Sequence, residues 1–117
     1  MGHCMKVWQD ASPSDQSLFE AIRTVCAKHP EILIFLFNQQ RPELRRAPEQ
    51  LLFEARGFSS GQYALIKIAI DLWSGSTVYS DLNEILYTLD SDNFSNVILA
   101  LVKMRGQRLE FLDYVSF

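Results

Sequence analysis

The chain has 117 residues, 48 % of them apolar and 21 % charged, with a formal net charge of −3. That length fits one domain able to bury roughly two thirds of its unfolded surface, and the composition argues against disorder, a fibrous repeat or a disulfide framework, Cys4 and Cys26 being the two cysteines. Apolar runs such as Ile32 to Phe37 fall far short of the roughly 18 residues a membrane span needs, and the start MGHCMKVWQD has no basic-then-apolar leader pattern. A cytoplasmic protein without membrane association is expected.

Residues 1–11 read as a flexible N-terminal segment and 12–117 as a single helical domain. Ser12-Pro13-Ser14-Asp15 supplies a capping hydroxyl, a proline suited to the first turn and an acid three residues after the cap. The spacing of Leu18, Ile22, Val25 and Cys26 predicts a helix that runs to His29-Pro30. In the next stretch, 31–37, every direction is apolar and periodicity does not separate a buried helix from a buried strand. Pro30 and Glu31 favour the helix.

Pro48 to Arg56 is bracketed by a proline at its start and Gly57 past its end, as a short helix should be. Ser59 and Gln62 form the clearest signal in the chain, a capping box flanked by Phe58 and Tyr63 as a hydrophobic staple. The helix it opens, at about 60–73, has apolar residues in nearly all directions and a thin polar stripe of Lys67 and Asp71. It is predicted to be the central helix, ended by Gly75. Ser80 is predicted to cap a helix with Leu82, Ile85, Leu86 and Leu89 inward, and a last helix over 92–105 to bury Phe94, Val97, Ile98, Leu101 and Val102. The fold expected is mainly α, five or six short helices around the central one. Strands are limited to one or two short ones, at 77–79 and 108–112.

The acidic knot DSDNFSN between the last two helices raises a calcium-loop question. Counted from Asp90, Phe94 stands where an oxygen ligand is needed, Ser95 where glycine is needed and Leu101 where glutamate is needed. A capped helix corner is the better reading. The order helix, short strand, helix, turn, helix also fits a winged-helix DNA reader, with Asn93, Asn96 and Lys103 of the 92–105 helix as its nucleic-acid face. Charge weighs against it. Residues 1–58 carry seven basic and seven acidic side chains, residues 59–117 four and seven, so the half that would face phosphate is net acidic.

Catalytic chemistry is poorly supplied. His3 and His29 are the two imidazoles, and no phosphate loop, paired-histidine zinc motif or CxxC motif occurs. No enzyme activity, no cofactor and no metal site is expected. What remains is the basic cluster Arg41, Arg45 and Arg46, with Arg41 and Arg45 on one face if Pro42 opens a helical turn, and fourteen aromatic residues. Of these, Phe111, Tyr114 and Phe117 lie in the terminal segment, and such side chains are favoured interface anchors. The sequence therefore points to a small non-catalytic adaptor that binds a protein partner or a second copy of itself through this tail and the arginine patch. The alternative is the winged-helix-like DNA-binding regulator.

Overall fold

The computed structural model describes residues 11–105, of which the chain is mainly helical, six helices with no strand among the described residues. They are α1 (Pro13–Val25), α2 (Glu31–Leu36), α3 (Pro48–Glu54), α4 (Ser60–Ser74), α5 (Leu82–Thr88) and α6 (Ser91–Arg105), with a short 3-10 turn at Ala55–Gly57 after α3. Helix α4 is the hub: it touches α1, α2, α3, the 3-10 turn and α5. Its Leu65, Ile66, Ala69 and Ile70 are wholly buried, each large aliphatic group contributing about 1.5–3 kcal/mol by leaving water.

The start of α1 and both ends of α4 form where capping chemistry places them. The Ser12 hydroxyl accepts from the Asp15 N–H at 3.0 Å. At α4 the box is reciprocal: Gln62 N–H to Ser59 Oγ at 3.2 Å and Ser59 N–H to Gln62 Oε1 at 3.1 Å. Gly75 closes α4 with φ of 67°, a left-handed conformation that costs glycine nothing.

Three local expectations are corrected, and the 31–37 stretch takes the helical form that Pro30 and Glu31 favour. Helix α1 stops at Val25, where Cys26 N–H bonds the Ile22 and Thr24 carbonyls and a turn carries the chain to Pro30. The 31–37 stretch is helical to Leu36, then extends at Phe37, which pairs with Leu44 in one isolated antiparallel bridge. Phe37 thereby sits edge-on to Phe19 of α1 at 5.3 Å and to Trp73 of α4 at 5.1 Å, tying three elements together. Residues 77–79 make no strand, and Ser80 does not cap α5; Asp81 does, accepting from Asn83 N–H at 2.8 Å.

The cause of these last two is Asp71. Expected on the thin polar stripe of α4, it is 4 % exposed. Its carboxylate draws in the loop after α4, accepting from Ser76 Oγ at 2.7 Å, Tyr79 N–H at 3.1 Å, and both the N–H and the hydroxyl of Ser80 at 2.6 Å. A buried carboxylate takes every nearby donor, so the N–H that a strand would pair is already committed.

Candidate interaction surface

Helix α6 lies at the edge of the bundle and packs on α1. The DSDNFSN corner starts it as a cap: Asp90 Oδ1 accepts from Asn93 N–H and the Asp90 carbonyl from Phe94 N–H, both at 2.8 Å. Asp92 pairs with Lys28 at 2.9 Å, tying the helix start to the end of the α1 turn. On the α1 side Asn93, Val97 and Ala100 are buried.

Away from that side the first turns and the end of α6 are polar, at Ser91, Asp92, Ser95, Asn96, Lys103 and Arg105, but the 97–102 run is apolar throughout. Ile98, Leu99, Leu101 and Met104 are 42–48 % exposed. Expected in the core, Ile98 and Leu101 are instead directed away from α1, because the buried stripe runs through Asn93, Val97 and Ala100, rotated from the face the spacing suggested.

Helix α5 continues the pattern. None of its residues is buried; Leu82 and Leu86, predicted to face inward, are 71 % and 48 % exposed, while Leu89 just beyond the helix is buried. Helix α5 is held by Ile85, which is half-buried against the core, and by Glu84, which pairs with Lys67 of α4 at 2.6 Å. Among the described residues, eight of the ten exposed large hydrophobic side chains fall between Val78 and Met104. Scattered single residues of this kind need no explanation, and only a contiguous group marks a contact surface.

The predicted site residues are distributed differently. Phe111, Tyr114 and Phe117, like the 108–112 strand, lie outside the described residues. Arg41, Arg45 and Arg46 follow Phe37 in a bent loop with no helical turn after Pro42. Arg45 is occupied: its Nε donates to the Phe35 carbonyl at 2.8 Å, its Nη2 to Glu54 at 2.9 Å, and its guanidinium lies 5.3 Å from the Phe35 ring. Arg46 takes the other Glu54 oxygen at 3.2 Å. Arg41 is exposed and forms no ion pair among the described residues. Glu54 thus neutralises most of the patch, and the three arginines do not present one anion-binding face.

The residues assigned to nucleic-acid reading are no freer. Asn93 is buried against α1, and its Oδ1 has no hydrogen-bond partner. Asn96 lines a groove of about 460 Å³ with Arg23, Thr24, Pro30 and Leu33, and Lys103 donates to Thr24 Oγ1 at 3.1 Å. All three belong to the side of α6 that faces α1. Asp90 and Asp92 flank the helix start where phosphate would approach.

The titratable groups read as structural. Burial, with a smaller push from Glu31, raises the Cys26 thiol to about 12, which leaves it without thiolate character. Burial raises Asp71, but the donated bonds from Ser80, Ser76 and Tyr79 outweigh it and hold the carboxyl below its ordinary range. Tyr79 donates its hydroxyl to Glu49 at 2.6 Å, which raises the phenol and lowers the carboxyl. His29 Nδ1 meets Gln62 Nε2 at 3.3 Å, and both approach Glu31 at the start of α2. Among the described residues no three His, Cys, Asp or Glu side chains are grouped to hold a metal ion, and no helix is long and apolar enough to cross a membrane.

Sequence reasoning missed the outer residues of α6 because it assigned them to the core. The signal was there in VILALV, residues 97–102, which is apolar without interruption; a helix with one covered side needs no such run. No protein-family model, no curated protein and no solved structure matches the chain.

Proposed function

We propose that the protein is a non-catalytic interaction module that docks a protein surface on the outer side of α6, next to α5. The observation that supports this reading is that Ile98 and Leu101 of the edge helix α6 stay more than two-fifths exposed while α1 covers the side of Asn93, Val97 and Ala100. The apolar area that Ile98 and Leu101 leave in water would supply roughly 25 cal/mol per Å² when buried against a partner. The exposed Leu82, Leu86 and Tyr87 of α5 extend the apolar area available, and aromatic and aliphatic groups of this kind carry most binding energy at interfaces. The tail with Phe111, Tyr114 and Phe117 follows α6 directly in sequence, so it adds anchors to the same docking role. Arg41, exposed and without an ion pair among the described residues, is the part of the arginine cluster still able to meet an acidic partner.

The test compares two charge insertions by cross-linking in the source cell. Leu101→Glu, on the outer side of α6, should abolish the cross-linked complexes that the parent protein forms. Phe53→Glu, at a more exposed apolar site on α3, should leave them in place. Both variants must retain the parent's helical circular dichroism. Complexes that survive Leu101→Glu at parental yield sink the proposal.

A further inference from the structure

Residues 76–88 run from the loop after α4 to the end of α5 without one buried residue among them. Tyr79 and Ile85 are half-buried against the core, while Val78, Leu82, Leu86 and Tyr87 are exposed. Apolar burial therefore does little to hold this segment. Carboxylates attach it instead, at three points. Asp71 of α4 accepts from Ser76, Tyr79 and Ser80, Glu49 of α3 accepts the Tyr79 hydroxyl at 2.6 Å, and Glu84 of α5 pairs with Lys67 of α4 at 2.6 Å. The core beneath is built by other elements: Phe19, Ile32, Leu51 and Leu65, all wholly buried, come from α1, α2, α3 and α4.

We infer that residues 76–88 are a strap latched to the hub by these carboxylates, and that protonating them releases the strap as a unit while the helices beneath stay packed. The inference goes beyond the docking reading and does not depend on it. Each latch bond is assisted by the carboxylate charge, and a neutral acid accepts more weakly. The titratable groups that meet at the strap are Glu49, Lys67, Asp71, Tyr79 and Glu84. Lys67 is the base among them, and it loses its partner when Glu84 takes a proton. Asp81 lies within the strap and caps α5 from inside it, so its protonation loosens the start of that helix as well. At Asp71 burial is outweighed by the donated bonds, and at Glu49 the Tyr79 hydroxyl dominates, so both carboxyls lie below their ordinary range. The attachment they give is complete above the unfolded values of about 4 and is lost as pH falls through the folded ones.

The experiment uses the full chain and reads amide hydrogen exchange by mass spectrometry, in deuterium pulses given from pH 7 down to about 2. After correction for intrinsic rates, 76–88 should lose protection at a pH where 60–74 keeps its own. At pH 7, Asp71→Asn should speed exchange across 76–88 about tenfold or more, the effect of removing a charge-assisted bond. Glu84→Gln, at the other end of the strap, should speed the same residues, as release in one unit requires. Glu54→Gln, which alters the pairs with Arg45 and Arg46 away from the strap, should leave them unchanged.

Loss of protection in 76–88 and 60–74 at the same pH overturns the strap, since the segment then opens only with the whole fold. Protection of 76–88 that outlasts that of 60–74 as the pH falls overturns the latch, since something other than carboxylates would be holding the segment. If Asp71→Asn does not fold, the pH series of the parent and the Glu84→Gln variant decide the matter without it.

Discussion

Asp71 and Ser80 are joined twice: the serine donates both its N–H and its hydroxyl to one carboxylate oxygen, each at 2.6 Å. Nine residues separate them in sequence, and the double bond is what folds the loop after α4 back onto the hub helix. Removing the acceptor leaves four donors to find water or stay unpaired. Asp71→Ala should therefore destabilise the protein by about 2–4 kcal/mol, and Ser80→Ala, which keeps the N–H bond, by about 1 kcal/mol. Urea unfolding followed by circular dichroism measures both, and equal, small effects would contradict the network.

The same carboxylate sets an acid limit. Its folded pKa lies below the unfolded value, which is about 3.9 for an aspartate, so its contribution is complete above that value and lost as pH falls through the folded pKa. The melting temperature of the parent should drop as pH is lowered below about 4, and the Asp71→Asn variant should show a shallower drop. Tyr79 acts at the other extreme with the opposite sign. Its phenol is raised by Glu49, so that bond contributes below the unfolded phenol pKa of about 10 and is lost as pH rises through the folded one.

Arg45 and Arg41 should respond differently to truncation. Arg45 carries the part-buried bond to the Phe35 carbonyl as well as the Glu54 pair, and Arg45→Ala should lower stability by about 1 kcal/mol, most of it from the carbonyl bond because the ion pair is partly solvated. Arg41→Ala should leave stability unchanged within about 0.5 kcal/mol. Thermal melts of the two variants decide it, and a destabilised Arg41→Ala would give that arginine a structural role.

Asn93 presents an acceptor to the α1 interface and receives nothing for it. Asn93→Leu removes a buried polar group without a partner and should raise stability by about 1 kcal/mol. A loss of stability in the same measurement would mean that the amide is satisfied by bound water or by a shifted side chain.

The start of α1 and both ends of α4 were legible because capping is local. Ser12, Ser59, Gln62 and Gly75 act within a few residues of themselves, so short stretches contain both partners of each bond. The burial of Leu65, Ile66 and Ile70 was legible for another reason: a helix apolar in nearly every direction has to be surrounded. Ser80 misled because a serine before a helix caps unless something better competes for its hydroxyl, and that competitor, Asp71, lies on another element. Leu82, Leu86, Ile98 and Leu101 misled because spacing identifies an apolar stripe without saying which neighbour, if any, lies across from it.

Sequence by itself determined the helical class, the hub and the capped starts of α1 and α4, since hydrogen bonds between near neighbours and the need to hide a wholly apolar helix are properties of short segments. Tertiary structure alone decided that Glu54 would quench Arg45 and Arg46, that Asp71 would be buried under its own loop, and that α6 would turn Val97 and Ala100 to α1 while leaving Ile98 and Leu101 outside. Each of these depends on where distant segments are brought together in space, and on which of several competing partners each side chain then meets first.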